Sequence, residues 1–162
     1  MIINRSRLLE LAPIKNMVDS KQTSNGFSWG LTECGYDIRI KQDVTMFLGR
    51  RFVLASAIEE FDVPPNLMGR VLNKSTWARK GIDASMTTNI EPGWKGFLTL
   101  ELRYSGVLPV TIKAGTGIAQ VIFEEIAEHC RYEGKYQCQP NKPVSALSLI
   151  HISEPTRLAL IS

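Results

Sequence analysis

Phe97-Leu98-Thr99-Leu100-Glu101-Leu102-Arg103-Tyr104 decides the reading of the fold, because its polarity alternates with a period of two. Successive side chains of an extended strand point to opposite faces. Leu98, Leu100 and Leu102 therefore share one side, and Phe97, Thr99, Glu101 and Arg103 the other. The leucines are expected in the core, with Glu101 pointing away from it. Working outward, the chain holds further short apolar runs at Tyr36 to Ile40, Phe52 to Ile58, Leu67 to Leu72, Val107 to Ile112 and Gly117 to Phe123, punctuated by Gly and Pro. Runs of this length and spacing predict a mainly β fold, a barrel or sandwich rather than alternating βαβ units. Ser6 to Leu11 predicts a short N-terminal helix ended by Pro13. Ser75 to Lys80 predicts one helical turn with Ser75 as N-cap. From Cys130 to Lys142 the chain turns polar, which predicts a mobile tail.

The 162 residues suffice for one domain with a real core. Hydrophobic residues make up 44% and the formal net charge is +3, which argues against disorder, a membrane protein and a nucleic-acid surface. No apolar run reaches the length of a membrane span, and no signal-peptide core follows Met1-Ile2-Ile3-Asn4-Arg5. Cys34, Cys130 and Cys138 are odd in number and lack ligand-like spacing, so the expected setting is reducing and cytoplasmic.

Residues 147–162 stand apart. Leu147-Ser-Leu-Ile-His-Ile-Ser-Glu-Pro-Thr-Arg157 back-translates without strain into a sequencing-library transposon-end adapter. The expectation is a domain over residues 1–146 followed by an artefactual tail over 147–162, with the natural C-terminus lost near Ala146.

The residues that carry chemistry lie between Lys74 and Glu101. Lys74-Ser-Thr-Trp-Ala-Arg79 brings a cation, two hydroxyls and an arginine together, a set that suits phosphate oxygens at a helix start. The alternative is a helix cap with exposed basic residues. Glu91-Pro-Gly-Trp94 turns into the strand bearing Glu101, where composition alone favours a solvated carboxylate. Tyr36, Asp37 and Arg39 alternate on a strand and predict a buried or interface ion pair. Trp77 and Trp94 predict core or subunit contacts, and His129 an exposed site.

Five motifs in order carry a resemblance: Gly35-Tyr-Asp-Ile-Arg39, Lys74-Ser-Thr-Trp-Ala-Arg-Lys-Gly81, Glu91-Pro-Gly-Trp-Lys-Gly-Phe-Leu-Thr-Leu-Glu101, Gly117-Ile-Ala-Gln-Val121 and Gly134-Lys-Tyr-Gln137. The set resembles that of the dCTP deaminases, in the trimeric dUTPase-like superfamily. The resemblance implies a distorted β-barrel (a β-clip) with a short N-terminal helix, assembled as a homotrimer with active sites at subunit interfaces. It implies dCTP as substrate, magnesium carried by the triphosphate, no zinc and no other metal, and no nucleic-acid or membrane partner. By position, Lys74, Ser75, Thr76 and Arg79 would hold the triphosphate and part of the catalytic pocket. Glu91 would sit near the deoxyribose, and Thr99, Leu100 and Glu101 would line the base. Tyr132, Lys135 and Gln139 would close over the phosphates. Glu91 stands where aspartate is commoner, Asn89 where many relatives carry arginine, and the tail lacks the usual final serine-arginine.

The implied reaction is hydrolytic deamination. Zinc deaminases use a metal-activated water with His-x-Glu and Pro-Cys-x-x-Cys, a signature missing from this sequence. The resemblance instead assigns Glu101 as general base and acid, with Arg79 and Ser75 positioning the water. Three readings stay open: a dCTP deaminase; a dUTPase, or a bifunctional enzyme giving dUMP and diphosphate, since Glu91 and Glu101 are both present; and a non-catalytic nucleotide-binding regulator.

Overall fold

The computed structural model describes residues 1–148. In chain order the elements are β1 (Ile2–Ile3), α1 (Arg5–Leu11), β2 (Lys21–Ser24), β3 (Phe27–Leu31), β4 (Tyr36–Arg39), β5 (Val44–Met46), β6 (Phe52–Asp62), β7 (Leu67–Asn73), α2 (Ser75–Ala78), β8 (Ile82–Asp83), a 3-10 turn (Ser85–Thr87), β9 (Asn89–Ile90), β10 (Lys95–Tyr104), β11 (Val110–Ile112) and β12 (Gly117–Glu125). The fold is mainly β, as the period-two runs predict. Among the described residues, however, its strands form three sheets and not one closed barrel. β12 is central to the largest, pairing with β7 on one edge and with β4 and β1 on the other. The second sheet runs β6-β10-β8 and the third is β11-β5. Pro64 and Pro65, which carry no N–H donors, lie where the chain leaves β6 for β7 in a different sheet.

β10 shows the expected alternation. Leu98, Leu100 and Leu102 are buried, Glu101 is half-buried and Arg103 exposed. The core also takes Leu8 of α1, Ile38, Phe61 and Phe123, all fully buried. Trp77 and Trp94 are core residues. Trp77 stacks on Phe27 with centroids 4.5 Å apart and donates its indole N–H to the Gly117 carbonyl at 2.8 Å. His129 is exposed.

Four expectations need correction. Ser75 is the first helical residue of α2, not its cap; the capping position is Lys74, with extended backbone and no side-chain cap bond. The run from Val107 pairs only over Val110–Ile112, because Gly106 and Pro109 flank an exposed Val107-Leu108 turn. β6 continues past Ile58 to Asp62, because Glu59 is held by Arg39 instead of facing water. The polar stretch after Cys130 is docked on the body, as described below. Of the expected tail at 147–162, residues 149–162 lie outside the described residues.

Candidate functional site

β10 carries the site because only one of its edges is fully paired. Along β6 the ladder runs from Lys95↔Asp62 to Arg103↔Phe52, with a shift in register between Phe97 and Thr99. On the opposite edge β8 pairs only with Arg103 and Tyr104. The rest of that edge meets a turn and the C-terminal segment: Glu101 donates its backbone N–H to Thr87 Oγ1 at 2.9 Å, and Phe97 donates to the Gln139 carbonyl at 3.0 Å. A cavity of about 600 Å³ opens here. Thr99 and Glu101 line it from β10, Phe52 and Leu54 from β6, and Thr87 to Glu91 from the turn and β9.

The C-terminal segment forms the remaining wall. Cys130, Tyr132 and Cys138 donate backbone N–H groups to the carbonyls of Pro65, Pro92 and Lys95 at 3.1, 2.7 and 2.9 Å. Trp94 donates its indole N–H to the Tyr136 carbonyl at 2.6 Å. Gln139 forms a parallel bridge with Gly96, and its amide oxygen accepts the Thr99 hydroxyl at 2.9 Å. Thr99 Oγ1 in turn accepts the Val144 N–H at 3.0 Å. Tyr132, Tyr136, Gln139, Val144 and Ala146 thereby line the cavity. Main-chain bonding, which polar composition does not reveal, orders this segment.

Of the expected site residues, Glu91, Thr99, Glu101, Tyr132 and Gln139 converge on the one cavity. Leu100 is fully buried, its side chain turned into the core. Lys135 lies outside the cavity lining, with its ammonium on the Leu147 carbonyl and 5.2 Å from the Tyr136 ring centroid. Ser75, Thr76 and Arg79 are exposed on or beside α2 and do not line the cavity of their own chain. Lys74 is engaged internally: its ammonium bonds the Asp37 carboxylate and, at 2.9 Å, the Ser28 hydroxyl. Burial pushes the Asp37 carboxyl up, against the opposing pull of Lys74. The same contest holds at Glu59, pushed up by burial and pulled down by Arg39. The ion pairs expected around Asp37 and Arg39 are thus internal, and Arg39 also lies 3.7 Å from the Trp29 ring centroid.

Sequence reading missed Thr87 and Thr88 in the lining, and noted Asn89 only as a departure from the arginine of many relatives. Nothing periodic marks this turn, which is set by contacts with β7. Asn73 Oδ1 accepts the N–H groups of Ala84 and Ser85 at 2.7 and 3.1 Å, and Val71 donates to the Thr88 carbonyl at 3.0 Å. Asp83 accepts from the Ser85 hydroxyl and N–H, which hold its carboxyl below the usual range. Among the described residues, no three His, Cys, Asp or Glu side chains cluster as metal ligands.

Comparison with known proteins places the chain. A family model described as dCTP deaminase-like matches residues 37–126. A dCTP deaminase of Herpetosiphon aurantiacus is 35% identical over an alignment covering 78% of this chain and 86% of the relative. Another, of Protochlamydia amoebophila, is 41% identical over 63% of this chain and 56% of its own length. Among solved structures, a 2'-deoxycytidine 5'-triphosphate deaminase of Agrobacterium tumefaciens aligns with a TM-score of 0.57 at 15% identity, over 75% of this chain and 47% of that one. A dUTPase of EIAV aligns at 0.54 and 20% identity, over 76% and 91%. At these identities the two structures speak for the fold alone.

Proposed function

The chain belongs to the dCTP deaminase-like family, and on that premise we propose that it deaminates dCTP hydrolytically to dUTP and ammonia. The observation that carries this reading is the convergence of Glu101, Thr99, Glu91, Tyr132 and Gln139 on one cavity. Glu101 orients a water toward C4 of the cytosine and takes one of its protons as the C4–O bond forms. It delivers that proton to N3, then takes the second water proton from the new C4 hydroxyl and passes it to the exocyclic amino group, so that C4=O forms as the C4–N bond breaks and ammonia leaves. Glu101 is half-buried, and Phe52 and Leu54 line the same cavity from the neighbouring strand.

The working unit in this proposal is a cytoplasmic homotrimer. Ser75, Thr76 and Arg79 are exposed and lie off the cavity of their own chain, so in this arrangement they serve the cavity of a neighbouring copy. There Arg79 and Ser75 position the water and stabilise the tetrahedral intermediate. Lys74 supports the turn that carries them, its ammonium being committed to Asp37 and Ser28. Magnesium enters with the triphosphate, as part of the substrate. Tyr132, Gln139 and Lys135 belong to the segment that covers the bound nucleotide. Residues 1–146 constitute the enzyme domain, and 147–162 are adapter-derived; resequencing the locus with a different library chemistry tests this, and the same codons in the genome would refute it.

Incubation with dCTP and magnesium, followed by anion-exchange chromatography and an ammonia assay, tests the activity. Ammonia with dUTP is expected. Glu101→Gln should abolish turnover and keep dCTP binding; wild-type turnover by that variant would sink the assignment. Glu91 and Glu101 line the same cavity, which favours a second reading: a bifunctional enzyme releasing dUMP and diphosphate. The same chromatogram separates the two.

A further inference from the structure

Thr87 sits where the 3-10 turn touches the strand that carries Glu101. The residue is 8% exposed, it lines the cavity, and its Oγ1 accepts the Glu101 backbone N–H at 2.9 Å. That N–H lies on the β10 edge away from β6, where among the described residues no strand pairs with Glu101, since β8 meets β10 only at Arg103 and Tyr104. A side-chain hydroxyl thus replaces a strand as the partner of this amide. A strand edge held this way is only as fixed as the group that holds it.

The turn itself is held firmly. Ala84 and Ser85 are bonded to Asn73, Thr88 to Val71, and Thr87 donates its own N–H to Ala84 at 3.2 Å. The Thr87 hydroxyl therefore relays the placement of β7 to the backbone of Glu101 across the open edge.

Resting on the deaminase reading above, we propose that Thr87 is a positioning residue for the reaction, fixing the Glu101 carboxylate through its backbone amide. The proposal separates placement from binding. Thr87→Val keeps the shape and removes the acceptor; Thr87→Ser keeps the acceptor and removes the methyl group. With Val, kcat should fall on the order of 10- to 100-fold, the scale of a displacement near 1 Å at a reacting group. KM for dCTP should stay within about twofold, because a misplaced general base weakens the transition state and not the ground-state complex. Ser should restore kcat.

The decisive readout does not depend on turnover. Hydrogen exchange of the peptide spanning residues 97–104 should speed up at the Glu101 amide in Thr87→Val and return to the parent rate in Thr87→Ser. Unchanged protection in Val, or an unchanged kcat, overturns the proposal. Equal losses of kcat and thermal stability in Val and Ser overturn it too, by showing a packing role. If the parent protein releases no ammonia, the deaminase reading fails on that result alone, and the exchange data still decide whether Thr87 holds Glu101.

Discussion

Replacing Gly96 with alanine should detach the segment that walls the cavity. Gly96 has φ +129, a conformation essentially reserved for glycine, and an added Cβ would stand 2.5 Å from the Gln139 nitrogen and 2.8 Å from its oxygen. Both neighbours are backbone, so neither can swing aside as a side chain could. The contact breaks where three hydrogen bonds converge: Cys138 N–H to Lys95, Phe97 N–H to Gln139, and the Thr99 hydroxyl to the Gln139 amide. At about 0.5–1.5 kcal/mol each, their loss opposes docking by roughly 1.5–4.5 kcal/mol. That shifts the docking equilibrium by roughly 10- to 1,600-fold. The backbone strain adds about 1–3 kcal/mol to the body, lowering Tm by roughly 2–12 °C. Hydrogen exchange over residues 132–139 and KM for dCTP would both be measured, with exchange rising and KM increasing. Gly26→Ala is the control, since Gly26 has φ +77 with nothing within 4 Å of an added Cβ: it carries conformational strain and should leave the segment in place. A folded Gly96→Ala protein with parental protection at 132–139 and an unchanged KM would refute the reasoning.

Three further outcomes are expected. Lys74→Met leaves the buried Asp37 carboxylate without its cation and should cost about 3–5 kcal/mol in a denaturant titration; unchanged stability with weakened nucleotide binding would show instead that Lys74 holds phosphate. Thr88 is a β-branched residue at φ 66 and ψ −132, so Thr88→Gly should stabilise the fold by roughly 1 kcal/mol net, read as a rise in Tm; a fall would show that the side chain outweighs the strain. Asp83 has a folded pKa held below its ordinary 3.8, mainly by the Ser85 hydroxyl, so its contribution is present above that pH and lost as pH falls through the depressed value. The stability gap between the parent and Asp83→Asn should therefore be open at pH 6 and close below 3.8; a gap constant with pH would contradict the shift.

What the sequence determined by itself is what local sterics control. Alternation along Phe97 to Tyr104 put the leucines in the core and Glu101 outside it, because the two faces of a strand follow from backbone geometry alone. The ordered motifs pointed to the family by resemblance, and the structure brings Glu91, Thr99 and Glu101 to one cavity. The β2–β3 hairpin went unread: Asn25 and Gly26, both at positive φ, form a two-residue turn of the kind Asn-Gly favours, but the flanking residues form no conspicuous apolar run. Tertiary structure decided the rest. Lys74 reads as a phosphate ligand in its motif, but Asp37, distant in sequence and close in space, claims its ammonium. The segment after Cys130 reads as a loose tail, but open carbonyls at Pro65, Pro92 and Lys95 accept its amides. Thr87 reaches Glu101 only because Asn73 and Val71 fix the turn between them. Each of these outcomes depends on which backbone and charged groups are brought together by chain closure over tens of residues, a property that no short window of sequence contains.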